Sequence, residues 1–293
     1  MARFPDDLDR WRSAARISAE AREVGRVAAV PGARRRDVAE AIESYIRSKG
    51  AAPAFPANLS RNVEAAHFTP PPDDEERLVA GDILKVDVGA HLDGAIADTA
   101  TTVEVGGTGR QENLLRAARD AVEAAIARVR ADAPVDDLSR AIESAVHARG
   151  LKPIRDLSGH SIQRYLLHAG KSIPNVSGLS TDHLEEGEII AIEPFVTNGA
   201  GSIENGPFGH IVRFRRDPGP SDPVVARLFD RFRTLPFTAR WVDPVDRPAL
   251  ARARRHLQTY PVFVERGGGL VAQAEHTVLV TSDGVEVLTR GPA

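Results

Sequence analysis

The chain has no cysteine in its 293 residues. That removes disulfides, thiolate zinc sites, iron–sulfur clusters and cysteine nucleophiles together, and leaves only oxygen and nitrogen donors for any metal. No apolar run approaches the roughly 18 residues a membrane helix needs. The opening Met-Ala-Arg-Phe-Pro-Asp-Asp has no apolar signal core, so the expected location is the cytoplasm, with no membrane partner. An excess of one charge is also missing. The formal net charge of −3 gives no global reason to expect nucleic acid or an anionic surface as partner. The words His-Glu-x-x-His, Gly-x-Ser-x-Gly and the P-loop do not occur, and the chemistries they carry lose their usual signature. Gly106-Gly-Thr-Gly109 has no Lys-Ser successor and reads as a turn between strand and helix.

What is present starts with Lys85-Val-Asp87-Val-Gly89-Ala-His-Leu-Asp93-Gly94-Ala-Ile-Ala-Asp98-Thr99-Ala-Thr-Thr102. Apolar residues flanking Asp93-Gly94 predict a β-hairpin. Closing it brings the carboxylates of Asp87 and Asp98 face to face or to a near diagonal. Like charges so placed destabilise a sheet unless a proton or cation lies between them. A divalent metal is the simplest such cation. The ordinary alternative makes one Asp a turn residue and the other a solvated strand end.

Helical spacing of apolar residues predicts helices over about 8–28, 35–49, 111–131 and 135–149, with Gly50 and Gly150 as C-terminal stops. Strands fit 83–89, 95–104, 188–196, 270–280 and 285–289. The chain also half-repeats at an offset of about 100 residues. Val38-Ala-Glu-Ala41-Ile42-Glu43-Ser44 recurs as Leu138-Ser-Arg-Ala141-Ile142-Glu143-Ser144. Gly81-Asp-Ile-Leu-Lys-Val-Asp87 recurs as Gly187-Glu-Ile-Ile-Ala-Ile-Glu193. Asp87 and Glu193 thus fall at equivalent places, and His67 and His168 correspond loosely. Two similar halves about a pseudo-twofold axis, with acids facing the seam, are the expected result. Between Arg213 and Glu265 the texture changes to many arginines and apolar-periodic stretches at 223–233 and 248–258. This predicts an inserted helical subdomain over 213–262, with 1–212 and 263–293 forming the main domain. Its arginines offer either a contact surface for ribosome or RNA, or simply a solvated face.

Further candidate ligands stand in Leu157-Ser-Gly159-His160, Ala191-Ile-Glu193-Pro194-Phe195 and Gln273-Ala-Glu275-His276-Thr277. Apolar neighbours surround Glu193 and Glu275, and an unpaired buried carboxylate is costly. On a strand, Glu275 and His276 point to opposite faces. Glu275 is the one assigned to the site.

In this order and with these surrounding words, Asp87, Asp98, His160, Glu193 and Glu275 resemble the methionine aminopeptidase family. The words Ala54-Phe55-Pro-Ala-Asn-Leu-Ser-Arg-Asn62, Ala-Ala-His67-Phe-Thr-Pro, Leu167-His168-Ala-Gly-Lys-Ser-Ile-Pro-Asn175 and Thr234-Leu-Pro-Phe-Thr-Ala-Arg-Trp241 are similar to its type II branch, especially the archaeal form. The resemblance runs from about residue 8 to the end. It implies the pita-bread fold, an α/β (α+β) architecture of pseudo-twofold symmetry with an antiparallel sheet flanked by helices, and a small winged-helix-like insertion. It implies two divalent ions, Co, Mn, Fe or Zn, that together activate a water. Asp98 and Glu275 would bridge them, Asp87 would complete one site, and His160 and Glu193 the other. Glu193 would also shuttle a proton, while His168 and His67 would contact the substrate at the carbonyl oxygen and near the scissile amide. Phe55, Leu167, His210 and Tyr260 match positions lining the family's methionine pocket. The implied activity is removal of the initiator methionine from nascent proteins when the second residue is small, by a monomer. The rivals are an Xaa-Pro peptidase of the same fold (prolidase or aminopeptidase P) and a non-catalytic adaptor that binds ribosome or RNA. One departure stands out: Phe68 replaces the family's usual tyrosine.

Overall fold

The computed structural model describes residues 7–291. Four helices form where the apolar spacing places them: α1 (Leu8–Ala28), α2 (Arg35–Ser48), α3 (Glu112–Ile126) and α4 (Val135–His147). Gly50 and Gly150, at φ +77° and +71°, follow α2 and α4 in the left-handed conformation that ends a helix. Helix α3 stops short of the expected 131. Beyond Ile126 the bonds tighten to Arg128 N–H donating to Ala125 O and Val129 N–H donating to Ile126 O. Val129 stays buried, so the apolar period continues as burial after the helix has ended.

The principal strands are β1 (Ile83–Leu92), β2 (Ala95–Glu104), β3 (Ser158–Ile162), β4 (Ile189–Ile192) and β5 (Glu275–Val280). They belong to an eight-stranded sheet ordered 52–53, β1, β2, β5, β4, β3, 172–174, with 285–287 folded back on β5. The pairings are antiparallel. Asp93 and Gly94, at φ +49° and +83°, turn β1 into β2 as the Asp-Gly signal requires. The expected strand 188–196 breaks at Glu193-Pro194. A proline has no N–H to give the ladder and restricts the residue before it, so Phe195–Thr197 leaves the main sheet to pair with 152–153 and 271–273. The expected strand 270–280 breaks beside it, at Ala274. Both breaks fall next to acids.

The half-repeat survives in three dimensions. Pro53 stands opposite Ala90 and Pro153 opposite Val196; Asp87 and Glu193 each lie three residues before those partners. Ala54 N–H donates to Gly89 O at 2.9 Å and Ile154 N–H to Phe195 O at 2.8 Å, completing the match. Helices α1 and α2 pack Ile17, Ala21, Val38, Ile42 and Ile46 on Leu84, Val86 and Val88. Helices α3 and α4 cover Ile190, Ile192, Val278 and Val280. Each such valine, leucine or isoleucine contributes about 1.5–3 kcal/mol when fully buried. The helices thus occupy one face of the sheet. The other face is free to carry Asp87 and its neighbours.

Helices Pro223–Phe232 and Pro248–Arg252 pack on a three-stranded sheet of 211–214, 237–238 and 257–260, whose first strand starts two residues before the expected boundary at 213. Phe214, Leu228, Phe232, Phe237 and Val242 form a core of their own. Asp222 caps the first helix by accepting from Val224 and Val225 N–H. The apolar period read at 248–258 is α-helical only to Arg252 and ends in a 3-10 turn over Arg254–His256, because Leu257 joins the small sheet opposite Phe214. A buried clasp ties this segment to α2: Glu43 accepts from Arg240 Nη1 at 2.9 Å and Nη2 at 2.7 Å, Trp241 Nε1 at 2.6 Å and Ala57 N–H. Glu43→Ala leaves the Arg240 guanidinium buried without its carboxylate, and is expected to cost about 3–5 kcal/mol in chemical unfolding. Adding Arg240→Met should recover part of that loss; simple additivity would contradict the clasp. No helix among the described residues is long and apolar enough to cross a membrane.

Candidate metal centre

Strand register assembles the acids. Asp87 lies opposite Ala100, and Ala100 opposite Glu275. One two-residue step away, Gly89 faces Asp98, Thr277 faces Ala191 and Ala191 faces His160. The Thr277 hydroxyl joins the halves of that row, accepting from Asp98 N–H at 2.8 Å and donating to Asp98 O at 2.7 Å. Two-residue steps keep side chains on one face, so Asp87, Asp98, His160 and Glu275 converge. Asp87 and Asp98 take the diagonal arrangement. Ala100, Thr277 and Ala191, all small, leave room between them. Glu193, at the proline break, reaches the same place from the second half, with Oε1 3.5 Å from His160 Nε2. His160 Nε2 is also 3.7 Å from Asp98 Oδ2. Donor atoms of Asp98, His160 and Glu275 all lie within 4.8 Å of one another. His276 takes the back of the sheet, its Nδ1 2.9 Å from Thr289 Oγ1.

The electrostatics of this cluster are unfavourable as they stand. Glu275 is 1% exposed and Asp98 5%. Burial, then the charge of the other carboxylates, pushes Asp98, Glu193 and Glu275 well above the ordinary carboxylate range. Burial takes Asp87 up to about 6. Burial also lowers His160 to about 3, so it is a neutral donor. Asp87 Oδ1, Asp98 Oδ1 and Glu275 Oε1 are buried with no hydrogen-bond partner. Oxygens of this kind cost free energy unless something positive meets them. Four carboxylates and one neutral imidazole with orphaned lone pairs fit divalent cations of the Mn, Fe, Co or Zn type.

Two residues whose role the sequence did not disclose orient these acids. Gln273 Nε2 stands 3.3 Å from both Glu193 Oε2 and Glu275 Oε2. Asn58 Nδ2 donates to Asp87 Oδ2 at 3.1 Å. Asn58 lies in the run Ala54–Asn62, and Gln273 stands two residues before Glu275 across the break at Ala274.

Beside the acids lies a cavity of about 210 Å³ that Phe55, His67, Leu167, His168, Ile211 and Tyr260 help to line. Gly89 makes room for Phe55: a Cβ there would stand 2.4 Å from Phe55 Cε1. His67, at φ +67°, packs edge-on to Tyr260 at 5.2 Å, and burial then the charge of His168 lowers it to about 4. His168 packs 4.4 Å from His160 between ring centres. The atoms enclosing its ring, then the positive charge of Arg213, lower it to about 4. His210 does not reach the cavity. It is exposed, and the wall position belongs to the adjacent Ile211, which faces inward at the start of its strand. Phe68 packs its ring under the Arg35 guanidinium, 3.6 Å from its centre, where a phenol hydroxyl is not required.

The model of metallopeptidase family M24 matches residues 9–282. The methionine aminopeptidase of Pyrococcus abyssi is 44% identical over 296 aligned positions, which cover 97% of this chain and 99% of that protein. The crystal structure of a methionine aminopeptidase from Thermotoga maritima superposes with a TM-score of 0.74 at 26% identity, covering 99% of both chains. A thermophilic Arx1 structure gives a TM-score of 0.85 at 18% identity over 98% of this chain and 91% of that one, a likeness of fold alone. The pita-bread architecture, the five converging ligand-type side chains and these matches agree: the chain belongs to metallopeptidase family M24, among the methionine aminopeptidases.

Proposed function

We propose that this protein is a metal-dependent aminopeptidase that removes N-terminal methionine from nascent chains whose second residue is small. The observation that carries the reading is the set of orphaned, buried carboxylate oxygens at a cavity whose wall also carries the apolar side chains of Phe55, Leu167 and Ile211. Asp87, Asp98, His160, Glu193 and Glu275 would hold two divalent ions of the Co, Mn, Fe or Zn type. Cations held there supply Lewis acidity and neutralise the acids.

The remaining work falls to the chain's own side chains. Phe55, Leu167, Ile211 and Tyr260 receive the unbranched methionine side chain and exclude water from it. His67 and His168 are neutral near pH 7, so they can donate N–H bonds without repelling the substrate's α-ammonium. His168 is assigned to the carbonyl oxygen, where negative charge grows, and His67 to the scissile amide. Glu193 takes a proton from the water that adds to the scissile carbonyl and returns it to the leaving nitrogen as the C–N bond breaks. Residues 213–262 are read as an inserted subdomain on the strength of their separate core.

The experiment is a substrate panel with the metal-reconstituted protein. Met-Ala-Ser is hydrolysed, while Met-Pro and other Xaa-Pro dipeptides are not. The reverse pattern would assign the chain to proline-directed chemistry, and no turnover of either group would support a non-catalytic adaptor.

A further inference from the structure

The small sheet of the inserted segment places a cation at the edge of the substrate cavity. In its strand pairing Ile211 stands opposite Tyr260, and Arg213 opposite Gln258. Ile211 and Tyr260 line the cavity, and strand alternation turns Arg213 to the same side as Ile211, one two-residue step further along. Arg213 is half-buried. Its Nε and Nη2 donate to the neutral Gln258 Oε1 at 3.2 and 3.0 Å. In the same segment only Arg227, Arg240 and Arg252 have an acid partner among the described residues, Asp246, Glu43 and Asp222. Arg213 has none within 4 Å among the described residues. Its charge is nevertheless felt at the cavity wall, where after burial it is an influence on both His168 and Tyr260.

His168, Tyr260 and the exposed Asp156 line the same cavity as Phe55 and Leu167, so a peptide whose first residue lies between Phe55 and Leu167 is read as leaving past them toward solvent. Asp156 is the opposing charge there, with Oδ2 accepting from Ile203 N–H at 2.9 Å. We propose that Arg213 is a specificity-determining residue that favours an acidic side chain among the first residues beyond the scissile bond. This rests on the aminopeptidase reading and adds a preference to it. A guanidinium with an unsatisfied charge, held in place by Gln258, pairs with a passing carboxylate at little ordering cost.

The test compares kcat/KM for C-terminally amidated Met-Ala-Glu-Ser and Met-Ala-Gln-Ser, and for Met-Ala-Ser-Glu and Met-Ala-Ser-Gln. In the wild type at least one pair should show a glutamate preference of about three- to fivefold, the range of a partly exposed ion pair. The preference should fall toward unity at high salt and in Arg213→Gln, persist in Arg213→Lys, and rise in Asp156→Asn, which removes the opposing acid. No glutamate preference in the wild type, or the same preference in Arg213→Gln, overturns the proposal. If Arg213→Gln fails to fold, the wild-type salt series and Asp156→Asn decide by the same ratios. Cleavage without charge discrimination contradicts the role of Arg213 alone, whereas a protein that cleaves no methionyl peptide contradicts this inference and the functional reading together.

Discussion

Glu275→Ala should lower kcat/KM on Met-Ala-Ser by about 10³-fold, the equivalent of roughly 4 kcal/mol of transition-state stabilisation. Glu275 has the least exposed of the carboxylates, carries an orphaned Oε1, and faces both Asp98 and Glu193. If it is shared between two ions, its loss disturbs both at once, and metal content measured on the purified variant should fall with activity. The adjacent His276→Asn supplies the control. His276 lies behind the sheet against Thr289, so this variant should keep its metal. Loss of metal in His276→Asn with retention in Glu275→Ala would mean that the strand presents its other face to the site.

The second large effect concerns the metal-free protein and runs opposite to ordinary acid denaturation. Asp98, Glu193 and Glu275 have folded-state pKa values raised well above their ordinary ones, and Asp87 is raised to about 6. A raised carboxyl binds its proton more tightly in the folded state. Its contribution to stability is therefore fully present below the unfolded pKa near 4 and is lost as pH rises through the folded value. For Asp87 alone, a shift from 3.8 to about 6 corresponds to on the order of 3 kcal/mol. The buried histidines act the other way. His160 and His276 have folded values near 3, so their contribution is present above the unfolded value near 6.5 and is lost as pH falls through that range. With chelator present, stability should therefore fall as pH rises above about 7, where the histidines no longer titrate and only the raised carboxyls are still losing their protons. Thermal unfolding across this range checks it. Divalent metal should flatten the alkaline limb, because the cation replaces the shared protons. A metal-free protein as stable at pH 8.5 as at pH 7 would show that the acids are not crowded in solution as they are here.

Much of this site was legible because local patterns fix it. Asp93-Gly94 turns the hairpin, and the alternation around it puts Asp87 and Asp98 on one face without help from the rest of the fold. The half-repeat aligned Asp87 with Glu193, and the pairing of Pro53 with Ala90 and of Pro153 with Val196 shows why: both acids hold the same place relative to a matched short strand. What was not legible depends on partners distant in sequence. Gln273 matters because its amide reaches Glu193, 80 residues away, and nothing within its own strand distinguishes it from a solvated glutamine. Glu43 looked like one polar position on an amphipathic helix, while its partner Arg240 lies 197 residues on. His210 and Ile211 were separated only by the start of a short strand, whose phase decides which of them faces inward. Pro194 is a local break whose effect depends on the other half of the chain: strand 188–196 divides there, and the division brings Glu193 into the site.

The central claim is that Asp87, Asp98, His160, Glu193 and Glu275 hold the divalent metal on which methionine removal depends. The most direct measurement is an anaerobic titration of chelator-stripped protein with Mn²⁺ or Co²⁺, following bound metal by calorimetry and Met-Ala-Ser cleavage in the same samples. Tight binding of about two equivalents per chain, with turnover absent at the start and growing as metal is added, is the predicted result. Full turnover in excess chelator, or no metal bound by a folded wild-type protein, would contradict it.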